Sequence, residues 1–220
     1  MTPQAGHCII PSMPLSVYSM CVDPLLRSLR NYIVDLAGIR PGQSALDVGC
    51  GTGEQVFSFI RAGIQATGID MNPAMIRTAN ALRNRHGFTS AAFHLANATE
   101  LPFAAHTFDF ASISLVLHET SPEVRLKIIS EMRRVVKSQG TMVFVDFGVP
   151  LPRNIPGMFA RIVEYLAGET NYRHFRSYLQ GGGLGELLSE GKLQPKSRTV
   201  LFSGTFTLIT VVNENILYPG

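Results

Sequence analysis

The sequence predicts an α/β fold in three layers, with helices on both faces of a mixed seven-stranded sheet whose last strand is antiparallel. Short apolar runs alternate with stretches of helical periodicity through most of the chain, which is typical of a parallel sheet wrapped by helices. Near the carboxyl end, two β-rich runs, Lys196–Phe202 and Thr205–Val212, are separated only by Ser203-Gly204. This short connection predicts a tight hairpin, and a hairpin closing a parallel sheet makes the final strand antiparallel.

The elements before this hairpin follow in order. Residues 1–16 contain three prolines and predict a loose arm, followed by an amphipathic helix with Asp23 as its N-cap and Gly38 as its end. The five strands predicted next are Ser44–Val48, Ala66–Ile69, Ala92–Leu95, Phe108–Ser114 and Thr141–Asp146. The helices predicted among and after them are Gly53–Ala62, Pro73–Arg85, Pro122–Val136 and Leu184–Ser189.

Composition limits the classes of function. A chain of 220 residues, 45% hydrophobic and 16% charged, predicts a single globular domain over residues 1–220, with residues 1–40 as an N-terminal arm and cap helix. No apolar run reaches the roughly 18 residues of a membrane span, and the start of the chain has no signal-peptide pattern. The three cysteines have no metal-ligand spacing, so we expect a reduced, cytoplasmic protein without a metal. The net charge of +3 is dispersed and tryptophan is absent, which gives nucleic-acid binding little support.

The glycine-rich turn Gly49–Gly53 directly follows the first predicted strand. Glycines at positions 49, 51 and 53 allow a sharp turn and a close approach of backbone to a ligand. The helix start behind them leaves N–H groups facing the turn. A dinucleotide fingerprint would need a sixth-position glycine, where Glu54 stands and would repel a pyrophosphate. An adenosine-containing cation without phosphates, such as S-adenosyl-L-methionine, avoids this conflict.

The motif Leu46–Gly53 (LDVGCGTG) resembles motif I of the class I S-adenosylmethionine-dependent methyltransferases. The spacing of the later motifs is similar to that of the ubiquinone/menaquinone-biosynthesis-like branch (methyltransferase type 11/25), and the resemblance covers residues 18–212. It implies a Rossmann-like fold and methyl transfer to carbon or oxygen of a small lipophilic or aromatic acceptor, with S-adenosyl-L-homocysteine as product. Spacing alone leaves carbon, oxygen, nitrogen and sulfur acceptors open.

The resemblance also implies the residues that contact the cofactor. Asp70 ends the second predicted strand, where a carboxylate accepts hydrogen bonds from ribose hydroxyls; its alternative role is to cap the following helix. Asn97 stands where the family often has an aspartate that accepts from the adenine amine, a role that an amide oxygen retains more weakly. Tyr18 either closes the site or is an ordinary loop aromatic. The full implied set is Tyr18, Asp47, Gly49, Cys50, Gly51, Gly53, Asp70, Met71, Asn97, Ala98, Thr99 and Ser114.

The loop that begins at Ser114 and ends at His118 lies where open α/β sheets bind substrates. It lacks the Asn/Asp-Pro-Pro-Tyr/Phe motif of amine methylases that act on DNA. His118 is the candidate catalytic base, since its ordinary pKa is about 6.5, and a structural histidine is the alternative. Further along, Ser138 and Gln139 replace the Pro-Gly that the family often places between helix and strand, which predicts a looser turn.

Residues 148–183 form an insertion after the fifth predicted strand. They contain an apolar helical stripe, which in this branch lies in the region covering the acceptor pocket; packing on the core or a dimer partner is the alternative. Tyr172, His174 and Arg176 are candidate acceptor-binding residues. We therefore expect a small-molecule acceptor, no membrane span, and a monomer or homodimer. A catalytically silent partner subunit and a nicotinamide-dependent oxidoreductase are the competing functions.

Overall fold

The computed structural model describes residues 27–36, 38 and 40–214, so Tyr18 and the expected N-cap Asp23 lie outside the described residues. Its seven-stranded sheet has the order β3-β2-β1-β4-β5-β7-β6. The strands are β1 Ser44–Val48, β2 Gln65–Asp70, β3 Ala92–Leu95, β4 Phe108–Ser114, β5 Val136–Phe147, β6 Pro195–Leu201 and β7 Phe206–Val212. β7 is antiparallel to both of its neighbours, and the other pairs are parallel, as the sequence predicted.

Helices cover both faces of this sheet. Residues 27–36 form α1, and the others are α2 Glu54–Arg61, α3 Pro73–His86, α4 Pro122–Val135, α5 Ile155–Leu166, α6 Glu169–Gln180 and α7 Gly183–Glu190. Successive residues of a strand point to opposite faces. Accordingly, Val143 packs in the core beneath α1 and α2, while Phe144 packs in the core beneath α4, α6 and α7. No helix of the described part is both long and apolar enough to cross a bilayer.

The looser turn predicted between α4 and β5 takes the form of a bulge at the start of β5. α4 ends at Val135 and Val136 pairs with Phe108 of β4, but the next pair is Thr141 with Phe110, so β5 advances five residues while β4 advances two. Ser138 and Gln139 lie in this bulge, and Gln139 has a positive φ of 64°. The Asn213 side chain holds the bulge, because its Nδ2 donates to the carbonyl of Arg133 at 3.0 Å and of Val136 at 2.7 Å.

The hairpin prediction was correct in pairing but wrong in length. β6 ends at Leu201 and β7 begins at Phe206, so residues 202–205 form the connection rather than Ser203-Gly204 alone. The amide of Thr205 donates to the carbonyl of Phe202, and the carbonyl of Thr205 accepts from Gly148 at the end of β5. This contact holds the wider turn against the carboxyl end of the central strands.

Candidate functional site

The turn Gly49–Gly53 lies at the switch point of the sheet. β1 pairs with β2 on one side and with β4 on the other, and the crevice outside such strand ends is the usual ligand site of open α/β sheets. All three glycines have positive φ, at 71°, 51° and 87°. A Cβ at Gly49 would lie 2.5 Å from Val116, and one at Gly53 would lie 2.5 Å from Phe93, so packing requires these two glycines.

Gly51 is different, because no atom of the described residues, apart from its chain neighbours, lies within 4 Å of the position that its Cβ would occupy. With respect to the described residues, the middle of the turn therefore faces open space. A backbone with no side chain and a free approach is suited to direct contact with a ligand. The Gly51 amide itself donates to Asp70 Oδ2 at 2.9 Å, which ties the turn to the end of β2.

Asp70 fixes two separate backbone segments. Its Oδ2 accepts from Gly51, and its Oδ1 accepts from the amide of Asn72 at 2.8 Å. The side chain that caps α3 is that of Asn72, which accepts from Ala74 at 2.9 Å. An ionised carboxylate has about four acceptor positions, so Asp70 has capacity left for ribose hydroxyls.

Asp47 places a buried carboxyl group on β1, directly before the turn. Its Oδ1 accepts from Ser112 Oγ at 2.7 Å, and only 4% of Asp47 is exposed. Burial, the largest cause, raises the pKa of Asp47 from 3.8 to about 7, against the opposing effects of the Ser112 hydrogen bond and the charge of Arg30. A nearby bound cation would favour the ionised form of this group.

Asp47→Asn is expected to stabilise the ligand-free protein at alkaline pH. Between pH 4 and 7 the folded state binds the Asp47 proton more tightly than the unfolded state does, so stability falls as the pH rises through this window. Since one pKa unit is about 1.4 kcal/mol, we expect the asparagine variant to gain about 2–4 kcal/mol in the free energy of unfolding at pH 8. Denaturant titrations should show the gain disappearing by about pH 4; an equal gain at both pH values would contradict the raised pKa.

The end of β3 lies beside Asp70, because the amide of Ala96 donates to the Asp70 carbonyl at 3.1 Å. Asn97 is exposed there, and its Oδ1 accepts from the amide of Thr99 at 2.9 Å. Ala98 is buried, whereas Met71 is 44% exposed. The residues implied for adenine binding are thus grouped at one edge of the crevice, on the β2 and β3 side.

Two further predicted contacts lie at the ends of β1 and β4. Cys50 is buried and its amide donates to the carbonyl of Ile69 at 2.8 Å; burial raises the pKa of its thiol, which keeps the sulfur protonated. The Ser114 hydroxyl is buried and has no hydrogen-bond partner among the described residues. Because buried polar groups normally have a hydrogen-bond partner, the Ser114 hydroxyl is available to bind a polar ligand at the switch point between β1 and β4.

His118 is held in a buried charged cluster. Its Nδ1 lies 2.6 Å from Asp146 Oδ1, its backbone amide donates to Asp146 Oδ2, and its Nε2 lies 3.5 Å from Glu164 Oε1. Burial alone lowers the pKa of His118, but Asp146 and Glu164 outweigh it and hold the pKa well above 6.5. A raised pKa favours the protonated form of this imidazole, and an imidazolium is a poorer proton acceptor than a neutral imidazole.

Aromatic rings surround this cluster. The rings of Phe147, Phe175 and Tyr178 lie 4.7 to 6.4 Å from the imidazole of His118, centroid to centroid, and only 2% of His118 is exposed. Glu164 belongs to α5, so its contact with His118 fastens the insertion over the carboxyl ends of β4 and β5. Sequence reasoning missed both carboxylates, although Asp146 stands out as an acid within an otherwise apolar strand.

The three candidate acceptor-binding residues on α6 do not converge. Tyr172 and Arg176 line a shallow groove on the outer side of α6. His174 lies on the inner side, where its Nδ1 is 2.8 Å from the carbonyl oxygen of Glu119 and its own carbonyl accepts from Arg125. His174 thus joins α6 to the loop after β4. The apolar stripe of α5 points outward, not into a pocket below it.

Comparison with known proteins agrees with the glycine turn and the strand order. Residues 46–144 match a family model described as a methyltransferase domain. These 99 residues are just under half of the 220-residue chain, and over them the chain is similar to that family. The chain is also 33% identical over 124 residues to a demethylmenaquinone methyltransferase of Renibacterium salmoninarum, a match to 56% of this chain and 49% of that protein.

A second curated relative is a ubiquinone/menaquinone biosynthesis C-methyltransferase of Psychromonas ingrahamii, 33% identical over 130 residues, which are 57% of this chain and 51% of the relative. The chain thus spans about half the length of the curated relatives it matches. The fold of this chain is similar to that of a SAM-dependent methyltransferase from Aquifex aeolicus, with a TM-score of 0.68 at 18% identity, over 90% of this chain and 97% of that one.

A geranyl diphosphate C-methyltransferase from Streptomyces coelicolor, solved with Mg²⁺, geranyl-S-thiolodiphosphate and S-adenosyl-L-homocysteine, has a TM-score of 0.65 at 15% identity. The alignment covers 86% of this chain and 77% of that one. At this level of identity the likeness concerns the fold alone. It agrees with the Rossmann-like arrangement of parallel strands and flanking helices that the sequence predicted.

Proposed function

We propose that this chain is an S-adenosylmethionine-dependent methyltransferase that acts on a small lipophilic, quinol-like or phenolic acceptor at carbon or oxygen. The observation that carries the proposal is the open glycine turn at Gly51, clamped to Asp70 at the switch point of the sheet. The match of residues 46–144 to a methyltransferase domain and the quinone-pathway names of the curated relatives support it.

The residues present fit the cofactor. In the proposed site the turn Gly49–Gly53 approaches the ligand through its backbone, Asp70 accepts from the ribose hydroxyls, and Asn97 lies on the adenine side. Asp47 supplies a carboxyl group whose negative charge complements a cation. When bound, S-adenosylmethionine supplies an electrophilic methyl group on a positively charged sulfur. The protein's own task is then to align the acceptor and exclude water.

A nicotinamide dinucleotide fits this turn less well. Glu54 occupies the first turn of α2, immediately behind the glycines, where it adds a negative charge to the place that a pyrophosphate would need. An adenosine ligand without phosphates and with a positive charge meets no such repulsion.

His118 has a positioning role in this proposal. It lies between Asp146 and Glu164, and its pKa is raised, so we infer that it holds α5 against the sheet end instead of serving as the proton acceptor considered from the sequence.

The experiment that tests the acceptor class is a methyl-transfer assay with isotopically labelled S-adenosylmethionine. The panel comprises a short-chain quinol, a simple phenol, a catechol and geranyl diphosphate, with product detected by mass spectrometry. We expect label in the quinol or phenol. Label in geranyl diphosphate alone would overturn the acceptor class, and S-adenosylhomocysteine binding without transfer to any acceptor would favour the silent partner subunit.

A further inference from the structure

Helix α5 exposes its apolar side and buries its polar side. The residues that face the protein are Gly157, Ala160 and Glu164. Six apolar side chains, each between 53% and 85% exposed, recur at helical spacing on the opposite side: Ile155, Met158, Phe159, Ile162, Tyr165 and Leu166. We call these six residues the α5 face. A continuous exposed apolar patch of this kind marks an interaction site in a folded protein.

Two contacts fix the rotation of α5 and keep this face outside. Glu164 Oε1 lies 3.5 Å from His118 Nε2 in the buried cluster. Gly157 packs so closely on Pro152 that a Cβ at position 157 would overlap the Pro152 carbonyl oxygen. Turning the helix to bury its apolar residues would break the charged cluster and move Gly157 away from Pro152, where a residue with a side chain does not fit. The contacts of α5 with the rest of the fold therefore keep the α5 face exposed.

The charges near the α5 face are predominantly positive. Arg153 precedes α5 and is exposed. Arg173 and Arg176 are exposed on α6 and line one groove with Tyr172, whose ring lies 5.4 Å from that of Tyr165 on the α5 face. Glu169, 3.4 Å from Arg173, is the exposed acid of the two helices, because Glu164 is buried. Amphipathic helices with aromatic and aliphatic residues on one side and arginines beside them bind anionic lipid surfaces.

We propose that the α5 face docks on an anionic lipid bilayer surface. The apolar side chains enter the boundary between headgroups and acyl chains, and the neighbouring arginines contact the lipid headgroups. A second copy of the chain is a poorer occupant, since two such faces in contact would bring their arginines together. The proposal goes beyond the methyl-transfer function and does not depend on it, because docking needs neither cofactor nor acceptor.

The test is sedimentation of the purified chain with vesicles of phosphatidylcholine, alone or mixed with phosphatidylglycerol, without cofactor or acceptor. We expect binding to the anionic vesicles that weakens with added salt. The double variant Phe159→Ser, Ile162→Ser should bind about tenfold or more weakly. Val200→Ser, which removes an equally exposed apolar side chain from β6, is the matched control and should bind as the unaltered chain does.

Equal vesicle binding by the double variant, or no binding by the unaltered chain, would overturn the proposal. Light scattering measures the oligomeric state of both proteins. If the double variant changes only the oligomeric state and not vesicle binding, the α5 face joins copies of the chain and does not dock on lipid. Affinity for S-adenosylhomocysteine is measured in the same samples. A chain that binds vesicles but does not bind S-adenosylhomocysteine would refute the proposed function and leave the docking surface standing.

Discussion

Asp70→Ala is expected to weaken the binding of S-adenosylhomocysteine by tenfold to a hundredfold, or about 1–3 kcal/mol. The variant removes the acceptor for the ribose hydroxyls. It also releases the Gly51 and Asn72 amides, which the carboxylate holds at 2.9 and 2.8 Å, so the turn loses its fixed shape. Isothermal titration calorimetry of both proteins measures the difference directly.

Asp109→Ala is the matched control. Asp109 accepts from Ser44 and Lys137 at the beginning of β4. It therefore lies at the amino ends of the parallel strands, whereas the glycine turn lies at their carboxyl ends. Its loss should lower stability and leave ligand affinity unchanged. Asp70→Asn retains one side-chain carbonyl oxygen as an acceptor, so its affinity for S-adenosylhomocysteine should lie between those of Asp70→Ala and Asp109→Ala. Unchanged affinity in Asp70→Ala would remove Asp70 from the ligand site.

His118→Asn is expected to lower the free energy of unfolding by about 3 kcal/mol at pH 6, because it leaves Asp146 buried beside a neutral side chain. The loss should depend on pH. The folded state holds the His118 proton more tightly than the unfolded state, so this stabilisation is complete below about pH 6.5 and declines as the pH rises through the raised folded-state pKa. Urea titrations across this range measure the decline.

His86→Asn provides the comparison, since His86 is exposed at the end of α3. It should change stability little at any pH. A loss in His118→Asn that is the same at acidic and alkaline pH would show that packing against Phe147 and Phe175, and not the ion pair with Asp146, accounts for the role of the residue.

The sheet was predictable because its strands are short apolar runs bounded by turn residues. β1, β3 and β4 have the predicted bounds, and β7 is antiparallel to β5, as the terminal hairpin predicted. The looser turn between α4 and β5 was predictable, but the contact that holds it was not, since it comes from Asn213, which is distant in sequence. Capping by a remote side chain leaves no local signal.

The orientation of α5 escaped prediction for a related reason. Helical periodicity identifies an apolar stripe but does not say whether the stripe faces the core or the solvent. The signal was instead the acid at position 164 and the glycine at position 157, which share the opposite side of the helix. Asp146 gave a similar signal, because a carboxylate within a buried strand requires a partner.

The measurement that tests the account most directly is a calorimetric titration of the unaltered chain with S-adenosylhomocysteine and, separately, with NAD. The open turn at Gly51, the carboxylate of Asp70 and the negative charge of Glu54 predict a preference of about a hundredfold or more for the phosphate-free ligand. Equal affinity, or tighter binding of the dinucleotide, would contradict the assignment of the glycine turn.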